Sequence, residues 1–404
     1  MNAFARNRVL FVSTWCLFVL SAFTLAFGEN DDCLPVVPPA EVGMKAETLA
    51  KIPVRLQEFV ANHEIAGAVT LIARNGRIVH WEAIGWADLE QQKPMQKDCL
   101  FQIASMTKPI TATALMILVD RGKVRLDDPV SRYLPEFEGI TVKGEPLTRP
   151  VTVQHLLTHT SGLTGSQRTE VTLQATVERL AKGGLSFQPG ERWNYSPGLT
   201  VCGRIIEVVS GMPYEQFLEN EIFRPLGMVN TTFVPTETQR ARLAKAYQRT
   251  SEGQLVPGGG ASWLIEDSGV RAPNPSGGLY STAMDLARFY QMVLNGGELC
   301  GRRIVSANLV ELMTTIRTGD LQTGFTPGNG WGLGWCIVRD PQGVTEMLSP
   351  GTFGHGGAFG TQGWIDPQRK MILVLLVQRT NFPNADASPV REAFQRLAIE
   401  ALGP

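Results

Sequence analysis

The chain predicts an α/β (α+β) fold, with an antiparallel sheet built from both chain ends and flanked by terminal helices. A mainly helical lobe is inserted between the two halves. Three observations carry this. Gly67 to Ala73 alternates like a strand, Asn75-Gly76 is a hairpin turn, and Arg77 to Ala87 returns. Strand-like runs come back only near the end, at Trp331 to Val338, Thr352 to Asp366 and Met371 to Gln378. Between these ends lie helices, bounded by Gly and Pro turns. Strands at both ends with helices between imply one sheet assembled from both termini around an insertion. The sheet part spans about 40–104 and 325–404, the lobe about 105–324, within a domain of residues 29–404.

The 404 residues are 43% hydrophobic and 19% charged, the balance of a globular protein with a large core. A net charge of -1 gives no reason to expect a nucleic acid or an anionic membrane as partner. Arg6 and Arg8 precede an apolar run from Val9 to Phe27, and Ala26 and Gly28 are small residues three and one before a cut. Residues 1–28 therefore read as a signal peptide, with an uncleaved anchor as the alternative. Either way the body is expected to be exported, periplasmic or secreted, with no membrane contact beyond that signal. Removing Cys16 leaves Cys33, Cys99, Cys202, Cys300 and Cys336, whose spacing matches neither a disulfide framework nor a zinc pattern. One bridge suits an oxidising compartment, and the spacing does not choose its pair.

After a Pro-rich leader, Ala46 to His63 reads as an amphipathic helix. Strand-like Leu100 to Ala104 leads into Ser105-Met106-Thr107-Lys108 and a helix from Pro109 to Asp120, whose Ile110, Ala114, Leu115, Ile117 and Leu118 form an apolar face. Gly122 to Pro150 reads as irregular surface structure. Val151 to Leu163 reads as a short helix ending at a Gly turn, with His155 and His159 four apart. That spacing suits two metal ligands on one face, but Leu156 stands where a zinc peptidase needs glutamate and no third ligand is evident. Structural histidines are the better reading. Helices follow at Leu199 to Ser210, Tyr214 towards Phe223, Met284 to Leu294 and Pro389 to Leu402, while loops at Ser166 to Gly184 and Gly253 to Pro275 carry no readable code.

Ser105 and Lys108 are three apart, so on a helix the hydroxyl and the amine can meet. A serine needs a base to become a nucleophile, and a lysine serves only if its ammonium is discouraged. A fall of about three in its pKa costs about 4 kcal/mol. A helix cap followed by a surface lysine fits the same four letters. Tyr195, in Trp193-Asn194-Tyr195-Ser196-Pro197, suits acid/base work beside an amine, and equally a packed aromatic. His355-Gly356-Gly357 lies on a late strand; a histidine there titrates near neutrality, and the two glycines let a substrate approach the backbone. The N–H groups of Ser105 and Ala358 can then hold an oxyanion.

The order SMTK, YSP, HGG resembles the serine β-lactamase and penicillin-binding-protein superfamily. More narrowly it resembles the branch of class C β-lactamases, β-lactamase-fold esterases, D-aminopeptidases and D-alanyl-D-alanine carboxypeptidases. HLLTHTSGL, VVSGMPYEQFLENEIFRPLGM and SGGLYSTAMDLARF are similar to family landmarks, and the likeness covers nearly all the mature chain. It implies a β-lactamase/transpeptidase-like fold and a serine hydrolase with catalytic Ser105, Lys108, Tyr195 and His355. Gly356 and Gly357 would line the substrate site, and no metal or organic cofactor is implied. The substrate would be a small ester, a D-amino-acid peptide or a β-lactam, with esterase activity favoured. Two departures favour the ester: Pro197 replaces the usual asparagine two residues after the tyrosine, and His355 replaces a lysine that pairs with substrate carboxylates. The rival of another class is an idle binder of cell-wall peptides, which has no need of Ser105, Lys108 and Tyr195 together. Oligomeric state is not readable.

Overall fold

The computed structural model describes Met1 and residues 33–258 and 270–403. The signal segment 1–28 with Cys16, and part of the 253–275 loop, lie outside the described residues. The main sheet of the described residues has eight antiparallel strands: β1 (Gly67–Arg74), β2 (Arg77–Asp88), β3 (Lys93–Pro94), β4 (Asn329–Trp331), β5 (Cys336–Val338), β6 (Phe353–Gly356), β7 (Gln362–Asp366) and β8 (Met371–Val377). Their order is β4-β5-β6-β7-β8-β1-β2-β3, so the two chain ends meet where β1 pairs β8, with Thr70 opposite Leu375. Asn75 and Gly76 both take left-handed φ values, 52° and 75°, as the tight β1–β2 turn requires.

Side chains alternate across a strand, and here both faces are covered. Val69, Leu71, Val374 and Leu376 point into the core shared with the lobe. Ala68, Ile72, Leu373 and Leu375 point to the other side, against the terminal helices Lys51–Ala61 and Pro389–Glu400. Double burial explains why β8 reads as an unbroken apolar run, MILVLLV, rather than an alternating one. The sheet is thus the middle layer of three.

Several boundaries differ from the sequence reading. The first helix is split at Ala50 into Ala46–Leu49 and Lys51–Ala61. The expected strand Leu100 to Ala104 shrinks to Phe101–Gln102, which pairs with Tyr280–Ser281 outside the main sheet, because Ala104 turns to a φ of 45°. The helix expected from Pro109 to Asp120 is Thr107–Asp120, and Thr107 to Leu118 are all buried rather than one face alone. It runs between sheet and lobe, and its threonines are satisfied internally: Thr113 Oγ1 donates to Pro109 O (2.9 Å) and Thr111 Oγ1 to Pro275 O (2.7 Å). Within the presumed loop 166–184 lies a helix, Leu173–Lys182, capped by Thr172. Among the described residues no helix is long and apolar enough to cross a membrane.

Cys33 and Cys300 form a disulfide across 267 residues of sequence, Cα to Cα 5.8 Å. It ties the start of the described body to the lobe beside the Glu298–Leu299 strand. A cross-link closing so long a loop restricts the unfolded chain, worth roughly 2–4 kcal/mol. Reduction with dithiothreitol is expected to lower the urea midpoint accordingly, and Cys300→Ser to show the same midpoint with or without reductant. An unchanged midpoint on reduction would remove the bridge from the stability account.

Candidate active site

Ser105 sits in a 3-10 turn, Ala104–Met106, that runs directly into the helix Thr107–Asp120. That turn, which opens on the left-handed Ala104, lifts the serine to the floor of a cleft of about 390 Å³. Tyr195, Phe325, His355, Ala358 and Asp386 line the same cleft. Lys108 lies one turn on and is fully buried. Its Nζ reaches Ser105 Oγ (3.3 Å), Gln167 Oε1 (3.2 Å) and Ser276 O (2.6 Å). Burial holds its pKa well below the usual lysine range, which is what a base at neutral pH needs. The elevated cost of an ammonium here is visible in its surroundings: among the described residues its hydrogen-bond partners are three neutral oxygens, with an aromatic face beside them and no carboxylate.

That face belongs to Tyr195, whose ring centroid is 4.6 Å from Lys108 Nζ. Tyr195 lines the cleft, while its hydroxyl oxygen is shut off from solvent and lacks a hydrogen bond of normal geometry. Burial pushes the phenol upward, and nearness to Ser105 offsets this only in part. Tyr195 is therefore a neutral phenol at rest. Beneath it lies His159, ring centroids 4.6 Å apart, whose Nδ1 accepts from Ser196 N–H (3.1 Å). The short helix ends at Leu157, and His159 stands past it with a left-handed φ of 58°. His155 turns back instead to cap the same helix through Thr152, with Thr152 N–H donating to its Nδ1 at 3.1 Å. The two histidines do not share a helical face. Among the described residues no cluster of His, Cys, Asp or Glu is arranged to hold a metal ion.

His355 on β6 is buried, and its Nδ1–H donates to Gly356 O at 2.6 Å. Its pKa falls to about 3, first through burial and then through Lys108. The expectation that it titrates near neutrality is corrected: the ring is a neutral Nδ1–H tautomer offering Nε2 as an acceptor. Gly356 and Gly357 line the same cleft as Ser105. A Cβ on Gly356 would lie 1.8 Å from Asp386 Oδ1, and one on Gly357 would lie 2.1 Å from Thr361 Oγ1 and 2.5 Å from Ile103 O. The chain's own packing excludes a side chain at either position, which keeps the backbone bare where the two residues line the cleft. Ala358 follows at an exposed turn, and neither its N–H nor that of Ser105 enters the turn and loop hydrogen bonds of the described residues.

Sequence reasoning missed His159 as a support of Tyr195, Gln167 and Ser276 as acceptors for the lysine, and Asp386 in the cleft wall. Asp386 accepts from Gln362 Nε2 (3.2 Å), and burial raises its carboxyl pKa. Nothing local marks these residues, since each arrives from a loop far away in sequence.

A family model described as Beta-lactamase matches residues 55–396. Esterase EstB of Burkholderia gladioli is 33% identical over 377 residues, covering 84% of this chain and 92% of its own. Penicillin-binding protein 4 of Amycolatopsis lactamdurans is 33% identical over 315 residues, 76% of this chain and 78% of its own. The solved structure of EstCE1, described as a hydrolase with promiscuous acyltransferase activity, superposes with a TM-score of 0.75 at 27% identity, covering 87% of this chain and 98% of that one.

Proposed function

Since the chain belongs to the Beta-lactamase family of serine hydrolases, we propose that it is an exported esterase working through an acyl-enzyme on Ser105. The observation that carries this reading is the buried Lys108 amine 3.3 Å from Ser105 Oγ. Lys108 takes the hydroxyl proton as Oγ bonds to the ester carbonyl carbon. The oxyanion meets the N–H groups of Ser105 and Ala358, each such donor being worth roughly 3 kcal/mol. Collapse breaks the bond to the alkoxide, which leaves with a proton relayed by Tyr195. Water then hydrolyses the acyl-serine, its proton following the reverse route.

An ester is favoured over a penicillin or a D-alanyl peptide because no lysine or arginine lines the cleft among the described residues. His355 is neutral there, and Asp386 adds an acid to the wall. A substrate carboxylate has no cation to meet. Kinship with a penicillin-binding protein keeps the peptidase or weak β-lactamase as the second reading. Export is supported by the basic-then-apolar segment 1–28 and by the Cys33–Cys300 bridge, which suits an oxidising compartment.

The test is intact mass and peptide mapping after mixing with p-nitrophenyl butyrate and, separately, a fluorescent penicillin. Turnover of the ester with transient butyrylation of Ser105, and slow or absent penicillin labelling, is the expected result. Fast penicillin labelling with no ester turnover transfers the assignment to the second reading. Silence with both, extended to a panel of esters and D-peptides, leaves the idle binder.

A further inference from the structure

A neutral lysine amine has two N–H bonds and one lone pair, arranged tetrahedrally. For Lys108 to act as a base, the lone pair must face Ser105, so both hydrogens must be held elsewhere. One goes to Ser276 O at 2.6 Å. Pro197, two residues after Tyr195, has no side-chain oxygen to take the other. We infer that Gln167 is a positioning residue for this reaction: its amide oxygen takes the second amine hydrogen and thereby aims the Lys108 lone pair at the Ser105 hydroxyl. The inference rests on the acyl-serine reading above.

The geometry around Gln167 is built rather than incidental. Asn274, 7% exposed, donates from Nδ2 to Gln167 O (3.0 Å) and accepts at Oδ1 from Ser276 N–H (2.9 Å). One side chain thus staples together the two segments that supply both acceptors. The 274–276 segment is itself pinned from the catalytic side. Thr111, one turn beyond Lys108, donates to Pro275 O (2.7 Å), and Thr200, one turn into the helix Gly198–Ser210, bonds Ser276 Oγ (2.7 Å). Positioned donors and acceptors of this kind act by removing unproductive rotamers, so their loss appears in the rate of proton transfer more than in substrate binding.

The groups facing Lys108 are Tyr195, His159 and His355, with Asp386 beyond Tyr195. The two histidines stay neutral over the working pH range, because burial holds both far below the usual range. A change at Gln167 therefore reads out through the lysine. Gln167→Leu keeps the size and removes the acceptor. It is expected to lower kcat/KM for p-nitrophenyl butyrate about 10- to 100-fold, through kcat rather than KM, with the melting temperature unchanged. Gln167→Glu keeps an acceptor but adds negative charge, which favours the ammonium. It is expected to move the acid limb of kcat/KM to higher pH by about one unit and to recover most of the rate above it.

Wild-type kinetics and pH profile in Gln167→Leu overturn the inference. So does a Gln167→Glu enzyme as slow as Gln167→Leu at every pH, which would make the residue loop packing alone. Butyrylation of wild-type Ser105, measured alongside, separates the two levels: if it fails, the acyl-serine reading falls and takes this one with it. If it succeeds while both variants behave as wild type, only the role of Gln167 is lost.

Discussion

Replacing Ser105 by alanine is expected to lower kcat/KM for p-nitrophenyl butyrate by about 10⁴-fold or more, with no loss of thermal stability. The serine is only part-buried at the cleft floor, so removing its hydroxyl opens no cavity in the core. Lys108→Met is expected to cost about 10³- to 10⁴-fold, since the hydroxyl then has no acceptor for its proton. The informative variant is the double one. On the proposed mechanism nucleophile and base perform one step, so their losses do not add, and the double mutant should be no slower than Ser105→Ala alone. If the two losses instead multiplied, Lys108 would be acting at a different step from Ser105. If Ser105→Ala kept more than about one per cent of the rate, the nucleophile would have to be sought elsewhere.

How the site could be read in advance follows from how far apart its parts lie in sequence. Ser105 and Lys108 were legible because a helix turn brings residues three apart together, and the structure gives that contact directly. The sheet assembled from both ends was legible because β1, β2 and the C-terminal strands announce themselves by period and by their Gly turns. The helix Leu173–Lys182 was missed although it carries a signal: Leu173, Thr176, Val177 and Leu180 are its buried face, with Thr172 as cap and Gly183 behind it. That face interleaves polar residues closely enough to pass for a loop. Lys108's environment was not legible at all. Its acceptors come from residues 59 and 168 positions away, which no local pattern links.

The same limit explains the correction at His355 and the packing around the glycines that follow it. From sequence, a histidine followed by two glycines invites a reading of titration and of open backbone. Burial decides the first: removing water from His355, with Lys108 near, makes the imidazolium too costly to form. Tertiary packing adds to the second: Asp386 arrives from the 384–388 turn and stands where a Cβ on Gly356 would go, while both glycines still line the cleft. Asp386 also carries its carbonyl to the buried Arg391, which donates from Nη1 at 2.6 Å and lies over Trp364 at 4.2 Å. The cleft wall is thereby anchored to the C-terminal helix.

Tyr195→Phe is expected to lower kcat by about 10²- to 10⁴-fold while leaving the acid limb of kcat/KM where it stands in the wild type. Environment divides two proton tasks between these residues. Burial lowers Lys108, so the amine is the group that can accept the serine proton. Burial raises Tyr195, so the phenol keeps its own proton at working pH and acts as a relay towards the leaving group. Below the pKa of Lys108 the amine is charged and cannot accept, so kcat/KM falls as pH falls through that value and reaches a plateau above it. His355, at about 3, has lost its proton long before and contributes no limb near neutrality. The His355→Gln variant should accordingly keep the wild-type limb, even if its plateau drops through the loss of the Nε2 acceptor. A limb that disappears in Tyr195→Phe would make the phenol the base instead of the lysine. One that disappears in His355→Gln would mean the ring is charged in the working enzyme, and the burial argument for His355 would be wrong.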